Sequence, residues 1–197
     1  MENKKFSGSW KEIWNKKGEV EGTKDDILIY DGWENSQADM LDVTRRIISF
    51  MDIREEDYVL EVGCGAGGLA RFINSHYIGI DFSESLVRRC MEFYQKSAIY
   101  CEANSLLFRD SIFDKTFSFG VFSYFPNWSY AQTVVEEMLR VTKDGGTVFI
   151  GDIPMKSHDV NHMLYSPREF EKMGFNITEG WAEPYTQKRF NAWIIKE

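Results

Sequence analysis

The sequence predicts an α/β protein: a doubly wound, mostly parallel sheet of seven strands, closed by an antiparallel C-terminal pair and preceded by a helical cap. Three observations carry this. From Tyr58 onward, short β-rich runs alternate with longer helical ones, the pattern of a parallel sheet covered by helices on both faces. The buried-looking run Val59-Leu60-Glu61-Val62 leads directly into Gly63-Cys64-Gly65-Ala66-Gly67-Gly68, a strand meeting a glycine turn. After Ser166 the rhythm changes to two strand-like runs without a long helix between them, which suits an edge hairpin.

Residues 1–50 read as a cap, with Trp10, Trp14, Tyr30 and Trp33 in polar surroundings, and residues 51–197 as the core of one domain. The cap ends in an amphipathic helix over about 35–51, where Met40, Leu41, Thr44, Ile47 and Ile48 recur at helical spacing. Strands are predicted at 58–62, 77–80, 98–101, 115–122 and 147–150. A helix over 68–75 follows the glycine turn. The next, over 83–96, starts at an N-cap serine with Glu84 in its first turn, where a carboxylate complements the helix dipole. A third runs over 128–142 and stops before Lys143-Asp144-Gly145-Gly146. Ser166-Pro167-Arg168-Glu169-Phe170 opens a short helix, and strand-like runs over 175–181 and 189–195 form the closing pair.

A chain of 197 residues with 43% hydrophobic and 27% charged residues has the composition of an ordinary globular domain. A net charge of −8 and no dense Lys/Arg tract leave nothing to neutralise phosphates, so nucleic acid is not the expected partner and a small molecule is. No stretch approaches the roughly 18 apolar residues of a spanning helix, and Met1-Glu2-Asn3-Lys4-Lys5 runs into polar sequence; the expected location is cytoplasmic, away from membrane. Cys64, Cys90 and Cys101 are too few and scattered for a disulfide framework or a CxxC metal site, and read as reduced thiols. Oligomeric state is not legible.

The glycine turn alone marks either a tight strand-to-helix connection or a nucleotide-type cofactor site. Asp81 sharpens the second reading. It stands 18 positions after Gly63, at the end of the second strand, where a doubly wound fold sets the acid that hydrogen-bonds ribose hydroxyls. The alternative is that Asp81 only begins the cap of the next helix. Phe82 after it can pack on an adenine face or belong to the core.

In order, Glu61-x-Gly63-x-Gly65-x-Gly67, Asp81, Glu102-Ala103-Asn104-Ser105-Leu106-Leu107-Phe108, Phe113-Asp114, Phe125-Pro126-Asn127 and Asp144-Gly145-Gly146 resemble a class I S-adenosylmethionine-dependent methyltransferase of the small-molecule type. The resemblance covers roughly residues 55–152. It implies a Rossmann-like sheet, S-adenosyl-L-methionine as cofactor and S-adenosylhomocysteine as product. By position it implies that the turn of Gly63, Cys64, Gly65 and Gly67 passes the methionine portion, and that Asp81 holds the ribose diol. Phe82, Glu102, Ala103 and Asn104 would surround the adenine, although the family usually has Asp where Glu102 stands and Pro where Leu107 stands. Glu61 would order the loop or meet the ammonium group, and Phe119 would line the methyl end. The implied reaction is methyl transfer to an oxygen, nitrogen or carbon of a small-molecule acceptor.

A nicotinamide or flavin oxidoreductase shares the glycines and the later acid, but Glu61 suits a cationic amino acid and sits awkwardly beside a pyrophosphate. A catalytically silent cofactor-binding subunit is the other alternative. Candidate bases are His158 and His162, in the loop after the fifth strand, whose imidazoles titrate near neutrality, with Tyr30 in the cap as a further catalytic candidate. Both histidines also fit a solvated loop, and the Tyr30-Asp31-Gly32-Trp33 cluster also fits simple docking of the N-terminus. The fourth strand ends without an acid, so no metal is expected.

Overall fold

In a computed structural model, residues 9–34, 36, 39–155, 162–181 and 188–197 are described. The seven strands form one sheet in the order β3-β2-β1-β4-β5-β7-β6, with β1 (Tyr58–Val62), β2 (His76–Asp81), β3 (Ser97–Tyr100), β4 (Phe113–Phe119), β5 (Thr142–Pro154), β6 (Asn176–Glu179) and β7 (Arg189–Ile195). The first five strands run parallel, and β7 inserts antiparallel between β5 and β6. Strand β1 pairs with β2 on one side and β4 on the other, so the order reverses there and a crevice opens beyond its C-terminal end.

The two-residue period of the strands sends side chains to two cores. Leu60, Val62, Val148 and Ile150 pack with Val134, Val135 and Met138 of helix α5 (Trp128–Val141) on one face. Val59, Phe117 and Phe149 pack on the other with Ile47 of α3 (Met40–Met51) and with Leu86 and Cys90 of α4 (Glu84–Tyr94). None of the described helices is long and apolar enough to cross a membrane.

The cap contains more regular structure than its polar composition predicts. Helix α1 (Trp10–Glu19) opens on a capping box in which Ser9 accepts from the Glu12 amide and Glu12 accepts from the Ser9 amide. A short α2 (Ile27–Tyr30) follows. Helix α3 begins at Met40 rather than near 35, because Asp39 is extended and its side chain caps the Leu41 amide at 2.8 Å. The cap is fastened to α4: the Arg89 guanidinium donates to the carbonyls of Gly18, Val20 and Gly22 at 3.2, 2.7 and 3.3 Å. The Ser85 hydroxyl donates to the Asn15 carbonyl at 3.0 Å.

Three predicted boundaries move. The helix over 68–75 contracts to a 3₁₀ turn, Ala70–Phe72, because Gly67 takes φ +92° and Ile73 is already extended before β2 begins at His76. Strand β4 ends at Phe119, since Gly120 turns the chain at φ +73°, and Phe122–Tyr124 coil into another 3₁₀ turn. The stop predicted at 143–146 is absorbed into β5, where the Gly145 amide bonds the Lys196 carbonyl at 2.7 Å and the Lys196 amide bonds Gly146 at 2.9 Å. A short α6 (Pro167–Glu171) precedes the antiparallel pair as predicted.

Candidate active site

The crevice is a cavity of about 680 Å³, within the range that encloses small ligands. Its floor is the glycine turn. The Gly63 amide donates to the Ile80 carbonyl at 2.8 Å, and with φ +83° a Cβ there would sit 2.3 Å from Val121. The Gly65 amide donates to Oδ2 of Asp81 at 3.0 Å. The next donors are taken by the cap: Asp31 receives the Ala66 amide on Oδ1 at 2.6 Å and the Gly68 amide on Oδ2 at 2.7 Å. A carboxylate 35 residues before the turn therefore closes onto it.

Asp31, Glu61 and Asp81 all line this end of the cavity. Glu61 accepts the Tyr77 hydroxyl, and Asp81 also accepts the Ser83 amide at 2.9 Å. Burial pushes the Asp31 carboxyl up to about 7 despite its two amide donors, and Glu61 to about 8 against its Tyr77 hydrogen bond. Burial likewise lifts Asp81 to about 6, over the opposing Ser83 and Gly65 amides. Among the described residues, none of the three forms an ion pair with a lysine or arginine. Lys17 draws Asp31 down only weakly against burial, and three buried acids with no direct ion pair fit a ligand that brings positive charge. Cys64 lines the same wall, but the Cys90 thiol beside it and then burial raise its pKa well above the ordinary thiol range, which removes it as a nucleophile.

Further along, Phe82, Cys101 and Ala103 form a wall, with Phe119 and Trp33 stacked at 6.1 Å near the middle. Glu102 and Asn104 do not line the cavity: Glu102 is engaged by Lys11 of α1 and by the Tyr130 hydroxyl at 3.0 Å. Lys11 also lies 5.6 Å from the Phe82 ring centre, so α1 spans the mouth on this side. Gly67 faces away, where its Cβ would meet the Cys90 thiol at 2.8 Å. The largest departure is Tyr30. It is fully buried, absent from the cavity wall, donates its hydroxyl to the Val20 carbonyl at 3.1 Å and holds the cap together; its neighbour Asp31 is the one that reaches the site. His162 lines the cavity beside Trp10 and Tyr124, at 5.4 and 5.5 Å between ring centres, and His158 lies outside the described residues.

At the far end the wall is aromatic and then polar. Trp10 and Trp14 meet Tyr124 edge-on at 4.8 and 5.0 Å. Beside them the Arg189 guanidinium bonds Ser123 Oγ at 3.2 Å and both the carbonyl and Oδ2 of Asp152 at 3.0 Å. Burial raises the Asp152 carboxyl to about 6, against the pull of Arg189. Sequence reading gave Arg189 and Ser123 no role, because strand β7 must fold back beside β5 before they meet; the only local hint is a Gly-Asp pair ending an apolar strand. Among the described residues, no group of three His, Cys, Asp or Glu side chains is placed to hold a metal ion.

Residues 60–150 match the methyltransferase domain family. The chain is 27% identical over 161 residues to tocopherol O-methyltransferase of Arabidopsis thaliana, covering 73% of this chain and 45% of that protein. It is 30% identical over 127 residues to the tRNA (carboxymethyluridine(34)-5-O)-methyltransferase of the same plant, covering 64% of this chain and 30% of that one. The chain thus spans less than half the length of either relative. Among solved structures it superposes on N-methyltransferase NodS from Bradyrhizobium japonicum, in complex with S-adenosyl-L-homocysteine, with a TM-score of 0.70, 13% identity and coverage of 92% and 95% of the two chains. That similarity establishes the shared fold.

Proposed function

We propose, from the match of residues 60–150 to the methyltransferase domain family, that the chain is a class I S-adenosylmethionine-dependent methyltransferase acting on a small molecule. The observation that carries the cofactor is the acid set on the glycine turn. Asp31, Glu61 and Asp81 line one end of the cavity without a direct ion-pair partner among the described residues, which suits a ligand whose ammonium and sulfonium charges favour their ionised forms. Gly63 and Gly65 leave the backbone bare where the methionine portion passes, Asp81 retains lone pairs for the ribose hydroxyls, and Phe82 and Ala103 form the adenine wall. Bound there, the cofactor supplies a methyl group made electrophilic by its sulfonium. The chain's own task is to hold the acceptor in line and keep water out. Trp10, Trp14, Trp33 and Phe119, which line the middle and mouth of the cavity, are suited to the second part.

The acceptor is read as a small molecule because the cavity, at about 680 Å³, has the size of a small-ligand site and the net charge is −8. Transfer to tRNA is a second reading, favoured by the tRNA-modifying relative. Calorimetric titration with S-adenosyl-L-methionine against NADH separates the cofactor classes; binding of NADH alone would overturn the proposal. Asp81→Ala is expected to weaken cofactor binding by about 1–3 kcal/mol, the loss of a hydrogen-bonded charged partner. Labelled methyl incorporation into a metabolite mixture, with bulk tRNA as the parallel substrate, then separates the two acceptor classes, and incorporation into neither leaves the silent cofactor-binding subunit.

A further inference from the structure

Helix α1 is fastened at one end and reaches across the cavity with the other. Its C-terminal half is held on α4: the Asn15 carbonyl accepts the Ser85 hydroxyl at 3.0 Å, the Gly18 carbonyl accepts Arg89 at 3.2 Å, and a Cβ on Gly18 would lie 2.3 Å from Ser85 Oγ. Its N-terminal half carries Trp10, Lys11 and Trp14, all of which line the cavity. Lys11 pairs with Glu102, in the loop after β3, and stands 5.6 Å from the Phe82 ring centre. Trp10 and Trp14 meet Tyr124 with ring centres 4.8 and 5.0 Å apart, and Trp10 lies 5.4 Å from the His162 ring. One helix of ten residues thus touches both the Phe82 wall and the opposite end of the cavity.

Glu102 stands where the resemblance implies a side chain beside the adenine, yet it does not line the cavity. Both of its oxygens are engaged, Oε1 by the Lys11 ammonium and Oε2 by the Tyr130 hydroxyl at 3.0 Å. Tyr130 belongs to α5, whose Val134, Val135 and Met138 are buried in the core, so the carboxylate joins a fixed helix to the reaching end of α1. We propose that Glu102 is a positioning residue that anchors α1 as a strap over the bound cofactor, and that release of S-adenosyl-L-homocysteine requires the Lys11–Glu102 pair to open. This rests on the methyltransferase reading. The two side chains are 59% and 38% exposed, so the pair adds little to the stability of the fold; it acts at the tip of the helix, where its loss lets the strap lift. Glu102 therefore serves the cofactor through Lys11 rather than by touching the adenine. Because the same helix carries Trp10 and Trp14, the anchor also holds the wall at the other end.

The test uses the full chain loaded with tritiated S-adenosyl-L-homocysteine, whose release is timed after a chase with excess unlabelled ligand. Lys11→Met and Glu102→Gln are each expected to release it about two- to fivefold faster than wild type, the range for one exposed ion pair. The double variant should be no faster than either alone, since both remove the same contact. Lys11→Glu and Glu102→Lys each set like charges together and are expected to release faster still, whereas combining them restores the pair and brings release back to within about twofold of wild type. Lys11→Met at the wild-type rate overturns the strap. A Glu102→Lys defect that Lys11→Glu does not repair overturns it as well, and points to Glu102 meeting the adenine. A wild type that does not bind S-adenosyl-L-homocysteine overturns the cofactor reading instead, and this one with it.

Discussion

Asp31, Glu61 and Asp81 each hold a proton more tightly in the folded protein than in the unfolded chain, with folded values of about 7, 8 and 6 against ordinary values of 3.8, 4.5 and 3.8. For a group raised in this direction, the stabilising contribution is complete below the ordinary carboxylate range and is lost as pH rises through the folded value. Thermal denaturation without ligand is therefore expected to give a lower Tm at about pH 8.5 than at about pH 5.5. An equal or rising Tm would mean that the three acids are better compensated than their surroundings indicate. S-adenosyl-L-homocysteine carries an ammonium group, so its stabilising shift is expected to be larger at the higher pH, where the acids are ionised. At this scale the sequence spoke unevenly. Glu61 and Asp81 stand at strand ends fixed by a two-residue period, and both are found in the cavity wall. Tyr30 and Asp31 are adjacent, and nothing local states which of them faces the site.

The turn after β1 works because three of its residues take backbone conformations that side chains resist. Gly63→Ala places a methyl 2.3 Å from the Val121 side chain at φ +83°. This variant is expected to lose cofactor affinity measurably in calorimetry, and to lose stability by about 1–3 kcal/mol from strain and overpacking; wild-type behaviour in both would show that the turn has slack. The cap is the second decisive element. The end of α1 and the segment that follows it are tied to α4 by Arg89, which donates to three of their carbonyls, so Arg89→Ala is expected to loosen the cap and speed limited proteolysis within residues 9–34, while α5 and the sheet stay protected. Equal proteolysis of cap and core would show that the cap does not move as a unit. Helix α1 was legible in principle. Ser9 and Glu12 spell a capping box, and Trp10, Ile13, Trp14 and Lys17 follow at helical spacing; its abundance of polar residues hides a helix whose one apolar face lies over the cleft.

Over the whole molecule, two cores pack on opposite faces of one sheet. Phe170 is fully buried and sits among Tyr165, Phe175 and Phe190, joining α6 and the antiparallel pair to the main core. Phe170→Ala is expected to cost about 3–5 kcal/mol in chemical denaturation, and a loss below 1 kcal/mol would mean that this corner repacks. Because β7 carries Arg189 and Asn191, the same variant is expected to disturb the end of the cavity lined by Asp152 and Ser123 before the glycine turn. The architecture itself was open to reading: alternating runs with periods near 2 and 3.6, a glycine turn and a closing pair of strands leave few ways to bury the apolar faces. Periodicity is a local property, and so the sequence by itself determined the seven strands, their order of appearance and the acids at the ends of β1 and β2. The bonding of Asp152 by Arg189 and Asn191 across the irregular register of β5 and β7, the contact of Arg189 with Ser123, and the Asp31 that closes on the glycine turn were decided only by the tertiary structure. Each depends on segments 30 or more residues apart being brought within hydrogen-bond distance, and no local pattern of residues encodes which of the available partners the packed chain presents.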